Sequence, residues 1–245
     1  MKKNGFPVRI NKYLKDIGVA SRRKADEMIE RGHVTINSKT ARLGEVVQEG
    51  DEVAVDSRSL ISMEKRLYVL CNKPVGIVSH NPIPGQKEVA DLLPKHLQNK
   101  NLAVVGRLDR ASHGLMLLSN DGLIVDKLLN PNAHHEKEYV VEVDKPTSNF
   151  FIKRMGEGVH LQGGLTSRKA KVQPINETTI RIILTEGKKH QIRRMTDSLN
   201  YAVRDLKRIR IGTLSLGNLK EGECRVLAGA ELDRFLSSLN QPTRS

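Results

Sequence analysis

From residue 67 onward the chain alternates short apolar runs with turn formers, at 67–70, 102–105, 115–118, 138–143, 169–172 and 179–184. Runs of this length, broken by Gly, Pro, Asn and Asp, read as strands rather than helices. They outnumber the helical candidates at 122–129, 147–155, 190–200 and 229–239. The expected fold is α+β, with a mixed, mostly antiparallel sheet. With four Phe, four Tyr and no Trp among 245 residues, aliphatic side chains must fill its core.

A different pattern precedes that domain. Val8, Ile10, Tyr13, Leu14 and Ile17 recur at helical spacing, and Gly18 closes the first helix. Ser21 is placed to cap a second helix over 22–31, which ends at Gly32; short strands follow at 33–36 and 52–55. This gives a small helix–helix–sheet module at 7–60, a polar linker at 61–66 and the larger domain at 67–240.

Lys and Arg total 41 against 28 acids, a net charge of +13, so a polyanionic partner is expected. A membrane is not, because no apolar stretch approaches the ~20 residues of a spanning helix. The opening MKKNGFPVRINKYL has basic residues but no apolar signal-like run. Cys71 and Cys224 are too few and too isolated for a disulfide framework or a zinc site, and Cys71 reads as a buried apolar residue. A reducing cytoplasm is the expected location. His134 and His135 are adjacent and lack a third ligand nearby, so no metal is expected.

In the first module, Arg9, Lys12, Arg22, Arg23 and Lys24 crowd the first helix and the start of the second. Three cations on a helix's first turn oppose its dipole, and a phosphate backbone would offset that cost. Arg9 to Leu14, Ser21 to Ala25 and Ile29 to Asn37 together resemble the S4 domain, a small RNA-binding module.

The segment Val105-Gly106-Arg107-Leu108-Asp109-Arg110-Ala111-Ser112-His113-Gly114-Leu115, continuing to Asn120-Asp121-Gly122, reads as strand, polar loop, strand and turn. Spacing alone allows Asp109 to be a turn former or a catalytic group. The segment resembles the catalytic motif of pseudouridine synthases, in the form of the branch that carries an S4 domain. Lys137-Glu138-Tyr139 resembles a second motif of that family, and the stretch from Glu186 to Met195 a third. Lys73-Pro74-Val75-Gly76 resembles an element beside its active site. Within the branch, the residues from His135 to Pro146 look most like members acting on large-subunit ribosomal RNA; small-subunit RNA or a tRNA anticodon loop are the alternatives.

The resemblance implies that Asp109 is the catalytic nucleophile or base, that Tyr139 stacks on the target base over Ile192, and that Arg193 forms a salt bridge with Asp109. Arg107 fills the gap left by a flipped base or binds phosphate. The isomerisation needs no group donor and no redox change, so no cofactor is expected. Lys188, Lys189, Arg194, Lys207 and Arg208, with Arg204 and Arg210, are expected to line an RNA groove. A monomer is expected.

Overall fold

The computed structural model describes residues 6–56, 66–98, 100–130, 133–161 and 164–239. Most of the expected linker, all but Arg66, lies outside them. The chain divides into two compact units, one within 1–67 together with 120–126, the other within 68–119 and 127–245.

In the first unit, strand β1 (Val8–Arg9) leads into helices α1 (Ile10–Asp16) and α2 (Arg22–Glu30). Val8, expected at the start of a helix, is in a strand that pairs with β4 (Val46–Val47). The Ser21 side chain accepts a hydrogen bond from the Lys24 amide at 3.3 Å, which caps α2 as expected. Strands β2 (Val34–Ile36), β3 (Lys39–Thr40) and β5 (Val53–Val55) form an antiparallel sheet in the order β3–β2–β5. Ile10, Leu14, Ala25, Met28, Ile29 and Val34 meet in one aliphatic core.

The second unit is built on a nine-stranded sheet. Its strands are β6 (Tyr68–Lys73), β7 (Ala103–Val105), β8 (His113–Ser119), β9 (Lys137–Val143), β12 (Lys171–Pro174), β13 (Thr179–Leu184), β14 (Val203–Ile211), β15 (Leu214–Ser215) and β16 (Cys224–Val226). The path runs β12–β13–β9–β14–β8–β6–β16, with β7 against β8 and β15 against β14. Only the β14–β8 pairing is parallel among the pairings of these strands, so the sheet is mixed and mostly antiparallel. All six residues of β6 are buried, as are six of the seven in β8, as expected of strands covered on both faces. A small hairpin, β10 (His160–Leu161) with β11 (Leu165–Thr166), stands apart from this sheet.

The expected helices appear as α4 (Gly122–Leu129), α5 (Asn149–Glu157), α6 (Gln191–Asp197) and α7 (Gly229–Ser238), and a one-turn α3 (Lys95–Gln98) is added. No described helix is long and apolar enough to cross a membrane.

Two readings change. The longest strand, β14, falls where a basic groove was expected; its composition hid it, because four of its residues are Arg204, Lys207, Arg208 and Arg210, one of the buried positions is Arg208 itself, and a register shift after it breaks the alternation between Leu206 and Ile211. Cys71 and Cys224, read as too isolated to pair, are joined by a disulfide across β6 and β16. They are 153 residues apart, and only the sheet register sets them opposite each other.

Candidate active site

Asp109 lies on the loop between β7 and β8, and hydrogen bonds hold that loop along its length. Before Asp109, the Arg208 guanidinium donates to the Gly106 carbonyl at 2.9 Å. The Ser79 hydroxyl donates to the Leu108 carbonyl at 2.6 Å and accepts from the Leu108 amide at 2.9 Å. After it, Arg193 Nη2 donates to the Ala111 carbonyl at 2.9 Å, and Lys73 Nζ donates to the Ser112 carbonyl at 2.7 Å and to Pro74 at 2.9 Å. Arg110 is tied to Gly76 through both its amide carbonyl and its side chain. Charge-assisted bonds to carbonyls are stronger than neutral ones, and three cations supply them at three points of this loop. The Asp109 side chain is 32% exposed, so the crest of a rigid loop presents a carboxylate to solvent.

The partner of that carboxylate is not the expected one. His190 Nδ1 lies 2.9 Å from Asp109 Oδ2. Arg193, expected to form a salt bridge with Asp109, instead donates to Ala111 and, at 3.4 Å, to the Ser112 hydroxyl and the Val203 carbonyl. It therefore holds the backbone beside Asp109 rather than the carboxylate. The sequence order puts both residues near the loop, since His190 is the N-cap of α6 and Arg193 sits one turn on. His190 has a left-handed backbone, φ 52 and ψ 28, which is uncommon outside glycine and concentrates at functional sites. The turn before it is fixed by Gln191, whose side-chain carbonyl accepts from the Lys188 amide at 2.9 Å and whose amide donates to the buried Glu186.

Beneath the loop a row of residues crosses the sheet. Tyr139 on β9 is opposite Arg208 on β14, Arg208 is opposite Gly114 on β8, and Gly114 is opposite Lys73 on β6. Tyr139 is 8% exposed and Ile192 is buried as well. Lys73 and Arg208 are among the most buried side chains of the molecule. Burial pushes the Lys73 pKa down to about 8, against the opposing pull of the Asp109 carboxylate and with help from Arg208. Burial likewise lowers that of Arg208, and the neighbouring Tyr139 phenol works the other way. Gly114 has φ +104, and a Cβ there would run into the Arg208 backbone, so only glycine lets β8 and β14 approach this closely.

Arg208 was expected to bind RNA; its burial within the sheet rules out a phosphate contact. The neighbouring Arg210 is held by Glu138 at 2.6 Å and Glu136 at 2.9 Å. Lys188 is within 3.3 Å of Glu186. Lys189 and Arg107 are exposed, while Arg194 and Lys207 are half-buried. In the first unit Arg9, Lys12, Arg22 and Arg23 are exposed; Lys24 is half-buried and pairs with Glu27 at 3.1 Å. Lys73, Ser79 and His190 were not assigned roles from sequence. His190 stands inside the third motif, and Lys73 in the Lys-Pro-Val-Gly segment, so both were in view; what was missing was the contact of each with the loop. Among the described residues no group of three His, Cys, Asp or Glu could hold a metal.

Residues 67–198 match the family model described as RNA pseudouridylate synthase, and residues 8–53 match the S4 domain. The chain is 41% identical over 227 residues to the dual-specificity RNA pseudouridine synthase RluF of Escherichia coli strain K12, covering 92% of this chain and 77% of that one. It is 33% identical over 234 residues to the ribosomal large subunit pseudouridine synthase B of Bacillus subtilis, covering 93% and 95%. A crystal structure of a pseudouridylate synthase superposes with a TM-score of 0.70 at 27% identity, over 95% of this chain and 99% of the other.

Proposed function

Because this chain belongs to the RNA pseudouridylate synthase family, with an S4 domain ahead of the catalytic region, we propose that Asp109 converts a specific uridine of large-subunit ribosomal RNA to pseudouridine. The family reaction breaks the N1–C1′ bond of uridine and joins C1′ to C5. C5 then loses its proton and N1 gains one, so the change is an isomerisation with no net transfer. The target base must leave its stack to be reached, and the detached uracil must be kept beside the ribose until the new bond forms.

The observation that carries the assignment is a half-exposed carboxylate on a loop pinned at Gly106, Ala111 and Ser112 by Arg208, Arg193 and Lys73. A group that must act on ribose or base needs fixed placement more than it needs intrinsic reactivity, and here the carbonyls of Leu108, Arg110, Ala111 and Ser112 are all tied. In this reading Asp109 serves as nucleophile or base, Tyr139 contacts the base, Ile192 packs beneath it, and Arg107 takes the space the base vacates or binds phosphate. Arg193 acts through the loop. The exposed Arg9, Lys12, Arg22, Arg23 and Lys189, together with Lys24, Arg194 and Lys207, contact RNA.

Large-subunit ribosomal RNA is supported by the name of the similar Bacillus subtilis synthase. The domain limits we propose are 7–60 and 67–240 around a linker at 61–66. We propose a monomer, and a ribosomal RNA substrate supports a cytoplasmic location. The Cys71–Cys224 bridge is unusual for that compartment.

Tritium release from ribosomal RNA labelled at uracil C5 tests the assignment. Asp109→Asn is expected to bind the RNA as the parent protein does and to release no tritium. Normal release by this variant would remove Asp109 from the mechanism. Binding without release by the parent protein itself would leave an RNA-binding factor.

A further inference from the structure

Arg208 is a cation at the centre of the sheet whose hydrogen-bond partners are two carbonyls and a thioether. Its Nε donates to Leu115 at 2.7 Å, and its Nη2 to Gly106 at 2.9 Å and toward Met116 Sδ at 3.0 Å. The Tyr139 phenol, buried beside it, favours its positive charge. Side chains directly opposite on neighbouring strands share a face of the sheet; Arg208 is opposite Tyr139 on one side and Gly114 on the other. Burying a guanidinium is costly, and an apolar side chain of similar length often serves stability as well or better. What an apolar side chain lacks is the planar fork, which holds acceptors in several fixed directions at once. The directions used here are a loop residue before Asp109 and a strand residue after it, with the guanidinium set beside the tyrosine that faces the target base in the reading above.

We propose that Arg208 is a positioning residue: bonded to the loop that carries Asp109 and packed directly opposite Tyr139, it keeps base contact and carboxylate at one spacing while the nucleotide enters. This rests on the roles given above to Asp109 and Tyr139. Arg208 does not touch substrate. Lys73 clamps the far end of the same loop from the other side of Gly114, but it lies two strands further from Tyr139 than Arg208 does; the coupling therefore belongs to Arg208.

A double-mutant cycle on single-turnover rates tests it, with Arg208→Met, Arg208→Lys and Tyr139→Phe. Arg208→Met is expected to slow turnover by about 100-fold or more while RNA affinity changes less than about threefold. Arg208→Lys, with one charged donor group in place of a fork, should recover only part of that loss. In a Tyr139→Phe background the Arg208 substitutions should cost far less than they do alone. Multiplicative losses would overturn the proposal, leaving Arg208 as a support of the loop only. Equal losses in affinity and turnover would overturn it too.

Should the methionine variant not fold, the lysine variant is read by the 13Cζ resonance of Tyr139 in an Asp109→Asn background. There Arg208→Lys is expected to move the Tyr139 signal and leave those of Tyr13, Tyr68 and Tyr201 in place. An unmoved Tyr139 signal would overturn the proposal. The resonance reads independently of catalysis, so an error in the role of Asp109 shows as tritium release by Asp109→Asn and remains distinct from a failure here.

Discussion

His190 reaches Asp109 across 2.9 Å from a backbone in the left-handed region. A histidine in that conformation is strained relative to glycine, on the order of 1 kcal/mol, and the strain is retained where it aims the ring at the carboxylate. His190→Gly should therefore raise stability by roughly 0.5–1 kcal/mol and lower the rate of isomerisation. Denaturant melts and single-turnover rates together check this. A glycine variant that is both less stable and fully active would show that the pair has no part in the site.

Lys73 provides a pH test of the buried clamp. Its folded pKa is about 8, below the ordinary lysine value of 10.5. Folding therefore releases its proton between those values, and the penalty for burying the charge is present at lower pH and relieved as pH rises through that window. Relative to Lys73→Met, the parent protein should gain stability from pH 8 to pH 10.5. At 1.36 kcal/mol per unit the full gain is on the order of 3 kcal/mol. Paired denaturant titrations at the two pH values measure it, and a difference that stays flat with pH would contradict the shifted pKa.

Arg193 holds the Ala111 carbonyl, so its removal should act on the geometry of the loop. Arg193→Lys is expected to lower kcat by about 10- to 100-fold, with KM for RNA changing by less than about threefold. A rise in KM alone would mark Arg193 as an RNA contact instead.

Gly114→Ala should be among the most damaging single changes. The added Cβ meets the Arg208 backbone, and φ +104 is unfavourable for alanine. A loss of more than about 3 kcal/mol is expected, readable as a drop in melting temperature or as failure to accumulate folded protein.

In the first unit the exposed pair Arg22 and Arg23 sits at the start of α2. Removing both should weaken RNA binding and reduce the slope of log affinity against log salt by about 0.7–0.9 for each phosphate no longer neutralised. An unchanged slope would place the RNA elsewhere.

Much of this molecule could be read from local pattern. The strand expected at 179–184 is β13 to the residue, and the helix expected at 122–129 is α4. Ser21 caps α2 because the capping residue and its helix are adjacent in sequence. The loop around Asp109 was legible for the same reason. What escaped was long-range. β14 looked like a basic surface because four of its nine residues are Lys or Arg, and nothing local says that Arg208 points inward. Arg193 was assigned to Asp109, although its place one turn into α6 serves Ala111 and leaves the carboxylate to His190. The Cys71–Cys224 bridge follows from the pairing of β6 with β16 and from no spacing in the chain.

Strand order also bears on how the protein is made. The loop around Asp109 is complete early in synthesis, yet the strand that fixes its first carbonyl, and lies between β8 and β9, comes only at Val203–Ile211. A nascent chain emerging from the ribosome thus carries its reactive carboxylate on a loop tied by Lys73, Gly76 and Ser79 but not yet by Arg193 or Arg208 for nearly a hundred residues of elongation. Competence to modify RNA arrives late, when the last large strand slides into the gap left for it.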